Sequence, residues 1–133
     1  MADAASMRRE YTRAGLREED AGDDPLVLFA RWFDEAAGAA IREPNAMILS
    51  TLTGAGPAAR TVLLKGFDGG GFVFYTGLAS AKSRELEADP RCALTFLWVE
   101  LERQVRVEGV ASRAPEAEAD AYFASRPRAS QLG

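Results

Sequence analysis

The feature that most constrains the fold is a run of five strand-like segments between residues 46 and 112, joined mainly by short links. Their residues are rich in β-branched, aromatic and other apolar types, and glycine, proline and aspartate mark the connections between them. The segments are AMILSTL (46–52), AARTVLLK (58–65), FVFYTG (72–77), CALTFLWV (92–99) and ERQVRVEGVAS (102–112). Consecutive strands with short connections favour a mostly antiparallel sheet, and curling the sheet into a small barrel protects its edges.

Three segments outside these strands predict helices. The first, DDPLVLFARWFDEAAGAAI, has Asp24 as a candidate N-cap and Pro25 at the first helical position, and its apolar residues recur every three to four residues. Ser80 begins a short helix that Pro90 ends, and Pro115 opens a last helix over PEAEADAYFASR. The predicted fold class is therefore mainly β with flanking helices. Within it, CALTFLWV is expected to be a central strand because it is apolar on both faces.

The length predicts a single domain. Of the 133 residues, the polar and highly charged stretch 1–22 is expected to be an N-terminal arm, and residues 23–133 are expected to form the folded domain. No apolar run approaches the roughly 18 residues that span a bilayer, so no membrane association is expected. The lone Cys92 cannot form an internal disulfide, which fits a reducing compartment and predicts a cytoplasmic protein.

The residue types that are absent exclude several kinds of chemistry. The sequence has no histidine, which excludes Ser-His-Asp and Cys-His catalysis and any His-ligated metal site within it. A single cysteine excludes zinc-ribbon and CxxC chemistry, and neither common glycine-rich nucleotide-binding motif is present. A net charge of −4 argues against non-specific nucleic-acid binding. We therefore expect no metal, and an enzyme of this composition would need a bound organic cofactor.

Lysine is rare, because only Lys65 and Lys82 occur among 16 basic residues. Lys65 ends a strand and either discourages edge pairing or faces a ligand. Arg60 lies on the opposite face under strict alternation, so the two residues can share a ligand only at a sheet end or through a bulge. Lys82 lies in the first turn of a predicted helix and, with Ser80 and Thr76, forms a candidate phosphate seat. The alternative for Lys82 is a solvated surface lysine.

Two further groups of polar side chains are candidates for ligand binding. Gln104 lies mid-strand, and its amide can donate and accept at the edge of a heterocyclic ring, although a solvent-facing residue is the simpler interpretation. Tyr122 and Arg126 are four residues apart on the predicted last helix and share a face. With Arg128 and Ser130 they would form a phosphate clamp, because guanidinium groups bind phosphate bidentately. The alternative is a surface aromatic–arginine pair beside a basic turn.

Together these segments resemble the pyridoxamine 5'-phosphate oxidase family, FMN-dependent enzymes of vitamin B6 metabolism. The resemblance runs from about Arg8 to Gly133, and its specificity lies in the order and spacing of six stretches. They are RREYTRAGL, DPLVLFARWFDEA, RTVLLKGFD, FVFYTGLASAKSREL, LERQVRVEG and YFASRPRASQLG. The resemblance implies an FMN-binding split β-barrel that works as a homodimer with its flavin sites at the subunit interface. It also implies oxidation of pyridoxamine or pyridoxine 5'-phosphate to pyridoxal 5'-phosphate, with O₂ as the acceptor.

The matching motif positions imply a set of binding residues. For FMN they are Arg60, Thr61, Val62, Leu63, Leu64, Lys65, Tyr75, Thr76, Lys82 and Gln104, with Arg60 directed towards the phosphate. For the substrate they are Arg8, Tyr11, Lys65, Tyr122, Arg126 and Ser130. The stretch 8–11 resembles an arm that closes over the substrate. No side chain is assigned as catalytic, because the flavin accepts the hydride equivalent and O₂ reoxidises it.

The sequence departs from the family pattern in two places. Ala81 stands between Ser80 and Lys82 where the family commonly has arginine, which predicts a weaker grip on the FMN phosphate. The family also continues beyond the position of Gly133 with residues that contact flavin and substrate, so a truncated form is expected. One alternative is therefore a truncated or non-catalytic protein that binds FMN or a B6 phosphate. The other is a related flavin oxidoreductase with another substrate, which the RREY and SRPR segments disfavour.

Overall fold

The five predicted strands are present, and they form part of an antiparallel barrel. A computed structural model describes residues 2–8, 10, 15–77, 79–114 and, for the backbone alone, 120–124. Its strands are β1 (Ala46–Thr53), β2 (Gly56–Asp68), β3 (Gly71–Tyr75), β4 (Arg91–Trp98), β5 (Arg103–Arg113) and β6 (Asp120–Ala124). They close in the order β1–β2–β3–β6–β5–β4, and every neighbouring pair is antiparallel. The predicted mainly β, barrel-like fold is confirmed.

The helices in the described residues are α1 (Glu18–Ala21), α2 (Pro25–Gly38) and α3 (Ala81–Ala88). The Asp24 carboxylate accepts a 2.9 Å hydrogen bond from the backbone N–H of Leu26, so the predicted N-cap of α2 is confirmed. Helix α2 ends at Gly38 and does not reach Ile41, because Ala40 has a φ of 58°, which is incompatible with a continuing helix. No helix among the described residues is long and apolar enough to cross a membrane.

Helix α2 packs its apolar face against an aromatic cluster in the barrel. The ring of Phe29, only 1% exposed, has its centroid 4.8 Å from that of Phe67 on β2 and 5.1 Å from that of Phe72 on β3. On β4 it lies 5.1 Å from Phe96 and 6.0 Å from Trp98. Aromatic rings bury large apolar areas, so Phe29 joins the helix to three strands at once.

Strand β4 lies between β1 and β5, which confirms its predicted central position. Its inward side chains, such as Phe96, are buried, whereas Leu97 on the outer face is 62% exposed. On β5 the predicted alternation is also confirmed. Val105 and Val107 are buried, whereas Gln104, Arg106 and Glu108, which alternate with them along the strand, are exposed. The outer face of the sheet therefore carries both apolar and polar side chains.

The helix predicted over residues 115–126 is wrong where the structure describes this segment. Residues 120–124 form β6, whose backbone pairs Tyr122 with Val73 on β3 and with Ser112 on β5. Without β6 these two strands would each leave a row of unpaired backbone groups, and pairing both edges outweighs the local helix propensity of the alanine-rich segment. Tyr122 therefore lies on a strand and not on a helix, and Arg126 falls among residues 115–119 and 125–133, which lie outside the described part of the chain.

The buried thiol of Cys92 on β4 should be chemically inert in the folded protein. Burial raises its pKa to about 12, so almost no thiolate forms at neutral pH. We expect a thiol reagent such as DTNB at pH 8 to label Cys92 only after unfolding in urea. The usual pKa of 9.0 returns on unfolding, so the neutral thiol favours the folded state below pH 9 and this contribution is lost as the pH rises towards 12. Rapid stoichiometric labelling of folded protein would contradict this placement.

Candidate functional site

Arg60 on β2 is held in a hydrogen-bond network that joins the barrel to helix α3. Its guanidinium donates from Nη1 to the carbonyl of Leu49 at 3.1 Å and to Oγ1 of Thr51 at 2.9 Å. Its Nη2 donates to Oε1 of Glu85 at 2.5 Å. The Arg60 and Glu85 side chains are 24% and 20% exposed, so this ion pair lies at the edge of the core and is screened less than a surface pair.

Glu85 is ionised and held from two sides. Its Oε1 also accepts a 2.7 Å hydrogen bond from the buried hydroxyl of Thr51. That bond lowers the pKa of Glu85 most; the hydrogen bond and charge of Arg60 and the charge of Arg84 lower it further, against partial desolvation, which raises it. The carboxylate therefore links β1, β2 and α3 through one oxygen atom at neutral pH.

The amino-terminal end of α3 brings together three of the residues considered for a phosphate seat. Ser80 is the N-cap, accepting a hydrogen bond from the backbone N–H of Ser83 at 3.2 Å, and its hydroxyl lies 2.8 Å from that of Thr76. Lys82 is half-buried in the first turn and forms no ion pair with any residue that the structure describes. Lys82 and Glu85 are three residues apart and share a helix face, so Arg60 lies on the same side of α3 as Lys82.

The residues of β2 that follow Arg60 alternate between the core and the outer surface. Val62 and Leu64 are buried, at 8% and 5% exposure, so only their backbone is available to a ligand. Thr61 and Lys65 are exposed and Leu63 is half-buried. Arg60 and Lys65 thus lie on opposite faces, as strict alternation predicts, and the register with β3 shifts only after Leu64.

Lys65 is brought next to Tyr75, another residue that the resemblance implies. Its Nζ lies 6.0 Å from the centroid of the Tyr75 ring, at the outer limit of a cation–π contact, and the tyrosine is 53% exposed. These two side chains therefore form one accessible patch on neighbouring strands. They lie on the opposite face of β2 from the side chain of Arg60.

Gln104 lies in a different part of the chain's surface. Its strand β5 is separated from β2 by β1 and β4, and its register partner is Leu97. It lines a cleft of about 810 Å³ between the stretch 15–20, helix α2 and the start of β5. Beside it, Arg103 pairs with Glu35 and lies over the ring of Trp32 at 4.5 Å. A single chain does not bring Gln104 to Arg60 or Lys65.

The structure describes few of the residues expected to bind the substrate. Arg8 is exposed, and its backbone N–H donates to the carbonyl of Ser6 at 3.0 Å. The backbone of Tyr122 lies in β6, and nothing is described of its side chain. Tyr11, Arg126, Arg128 and Ser130 lie outside the described residues.

Sequence reasoning missed Thr51 and Glu85. They are 34 residues apart, and no local motif connects them. The available signal was Arg60 itself, which alternation places on the same face as the buried Val62 and Leu64. A guanidinium on a partly buried face requires a carboxylate or several acceptors, so a partner on a neighbouring element could have been expected.

The cations and N–H groups around α3 fit an anionic group such as a phosphate. The barrel itself identifies the structural class to which the protein belongs. The fold is a split β-barrel, and solved structures share it. PhzG from Burkholderia lata 383, in complex with tetrahydrophenazine-1-carboxylic acid, matches with a TM-score of 0.73 and 30% identity over 80% of this chain and 54% of that one. A pyridoxamine 5'-phosphate oxidase-related, FMN-binding protein of Nostoc punctiforme matches in fold with a TM-score of 0.60 and 19% identity, over 73% and 52% of the two chains.

Sequence comparison identifies the family. Residues 33–133 match the family described as pyridoxamine 5'-phosphate oxidase, and this chain belongs to that family. It is 65% identical over 132 residues to a pyridoxine/pyridoxamine 5'-phosphate oxidase of Rubrobacter xylanophilus, covering 98% of this chain and 61% of the relative. A protein of the same description from a Nocardioides species is 55% identical, with 98% and 62% coverage. The chain therefore spans about three fifths of the length of these relatives.

Proposed function

We propose that this chain binds FMN and holds its phosphate between Arg60 and the amino-terminal end of α3. The observation that carries the proposal is the cation Lys82, which has no ion-pair partner among the described residues and lies beside the Thr76–Ser80 hydroxyl pair in a member of this family. Helix N-termini attract anions through their free N–H groups, and Lys82 adds a full charge at the same end.

The activity proposed for the whole protein is oxidation of pyridoxamine or pyridoxine 5'-phosphate to pyridoxal 5'-phosphate with O₂. When bound, FMN supplies the redox chemistry, so the protein has to bind and orient two phosphorylated molecules and exclude water. The exposed Thr61, Lys65 and Tyr75 would face the flavin, with Lys65 also reaching the substrate. Residues that would hold the substrate phosphate are Tyr122, Arg126 and Ser130, and the arm from Arg8 to Tyr11 would close over it.

We further propose that the protein acts as a cytoplasmic homodimer. Gln104 lies on β5, which two strands separate from β2 within one chain, so it can meet the same flavin as Arg60 only if a second chain supplies it. The exposed Ile48 and Leu97 on the outer face, at 39% and 62%, are suitable for burial in such an interface. Sedimentation of the purified chain with FMN tests this directly, and a monomer at micromolar concentration would contradict it.

The flavin proposal predicts that the purified chain turns yellow with FMN. A titration followed by quenching of flavin fluorescence should saturate at one FMN per chain. The test variant is Lys82→Ala, which removes a cation that has no ion-pair partner among the described residues. It should weaken FMN binding by about tenfold or more, since a hydrogen bond to a charged group contributes about 1.5–3 kcal/mol. If the wild-type chain binds no FMN even when FMN is in excess, the proposal is contradicted.

A second candidate is a protein that binds FMN or a B6 phosphate without oxidase activity. The observation that favours it is Ala81 in the first turn of α3, which offers no cation where the family commonly has arginine. Hydrogen peroxide release from FMN-loaded protein supplied with pyridoxamine 5'-phosphate separates the two candidates. Steady turnover excludes the non-catalytic one, and flavin binding without peroxide excludes the oxidase for this chain.

A further inference from the structure

The Arg60 guanidinium uses only part of its hydrogen-bonding capacity within the described residues. It has five N–H groups, and three of them are engaged: two on Nη1, with Leu49 and Thr51, and one on Nη2, with Glu85. The remaining two, on Nε and Nη2, donate to no residue that the structure describes. The side chain also keeps 24% of its surface exposed.

The positions of the acceptors indicate which edge of the guanidinium is engaged. Oγ1 of Thr51 and Oε1 of Glu85 lie 2.7 Å apart, and they accept from Nη1 and Nη2 respectively. Two adjacent acceptors match the pair of parallel N–H groups at the end of a guanidinium. The second parallel pair, on Nε and Nη2, is therefore directed along a different edge.

We infer that Glu85 is a positioning residue for phosphate binding: with Thr51 it occupies the end of the Arg60 guanidinium and leaves the Nε–Nη2 edge to bind a phosphate bidentately. This inference rests on the proposed function, in which the phosphate belongs to FMN. Arg60 would be fixed during folding, so that the entropy cost of immobilising its long side chain does not weaken ligand binding.

The charge of Glu85 does not cancel this benefit. A carboxylate near an anion site repels the anion, but Arg60 lies directly against Glu85 and the charge of Arg84 also acts on it. Lys82, on the same face of α3, adds a cation that has no such partner among the described residues. Loss of orientation should therefore outweigh loss of repulsion when Glu85 is removed.

The test compares FMN with riboflavin, which lacks the phosphate. Dissociation constants for both flavins would be measured by fluorescence quenching for the wild type, Glu85→Ala and Glu85→Leu. We expect Glu85→Ala to weaken FMN binding by about tenfold and to leave riboflavin binding unchanged. The matched control is Glu87→Ala on the same helix, which breaks an exposed pair with Arg113 and should preserve both constants.

The contribution through Arg60 is isolated by a double-mutant cycle. In the Arg60→Ala background, Glu85→Ala should cause no further loss of FMN affinity. If Glu85 has a purely structural role, Glu85→Ala should weaken the binding of FMN and of riboflavin equally, and that result would overturn the inference. If Glu85→Ala does not fold, Glu85→Leu, which keeps the bulk of the side chain and removes its acceptors, carries the test, and an unchanged preference for FMN over riboflavin overturns the inference. A wild-type chain that binds neither flavin overturns the proposed function as well.

Discussion

Replacing Phe29 by alanine should lower the free energy of unfolding by about 3–5 kcal/mol. The ring is 1% exposed and contacts aromatic rings on β2, β3 and β4, so its removal leaves a cavity where α2 meets the barrel. Single domains are stable by about 5–15 kcal/mol, so this one change removes a large share of the total. We expect the melting temperature to fall by on the order of 10–20 °C.

Urea unfolding followed by tryptophan fluorescence measures this effect. Trp98 is a suitable probe because it is 1% exposed and lies in the same aromatic cluster. The control is Val27→Ala on the same helix, where the side chain is 64% exposed and the loss should stay below about 0.5 kcal/mol. Equal unfolding midpoints for the two variants would show that Phe29 does not join α2 to the barrel.

The barrel strands and the start of α2 were predictable because local signals agree with tertiary packing there. Alternation fixed the inward side of β5, and an Asp-Pro pair fixed the first residue of α2. The segment around Tyr122 was not predictable in the same way. Its composition favours a helix. The segment pairs with β5, the strand just before it, and also with β3, which is distant in sequence, and no local pattern reports that second pairing.

In the candidate site, too, some contacts were predictable from local sequence and others arise only from the fold. Thr76, Ser80 and Lys82 lie within seven consecutive residues around a helix start, so sequence alone could group them. The Arg60–Glu85 pair joins residues 25 apart on different elements, and only the fold brings them together. Alternation along β2 correctly predicted that Arg60 and Lys65 lie on opposite faces of the strand. The phosphate end of the proposed flavin site, at Arg60, is therefore on a different face from the exposed patch of Lys65 and Tyr75.

Replacing Ala81 by arginine should strengthen FMN binding by roughly 10- to 100-fold. A charge-assisted hydrogen bond to the phosphate contributes about 1.5–3 kcal/mol, and position 81 immediately precedes Lys82 in the first turn of α3. The longer side chain has room, because exposed Ala81 lines an open groove of about 500 Å³ between α3 and the turn after β1. Titration of the variant with FMN measures the gain, and riboflavin affinity should stay at the wild-type value.

The main competitor for the new guanidinium is Glu85, four residues along the same helix face. Glu85 already accepts from Thr51 and Arg60 through Oε1, so a third partner would have to use its other oxygen or displace Arg60. Ala81→Gln supplies a polar side chain without charge and should leave FMN affinity nearly unchanged, which isolates the electrostatic gain. If Ala81→Arg also leaves FMN affinity unchanged, the phosphate does not lie at this end of α3. A gain confined to FMN supports placing the phosphate between Arg60 and Lys82.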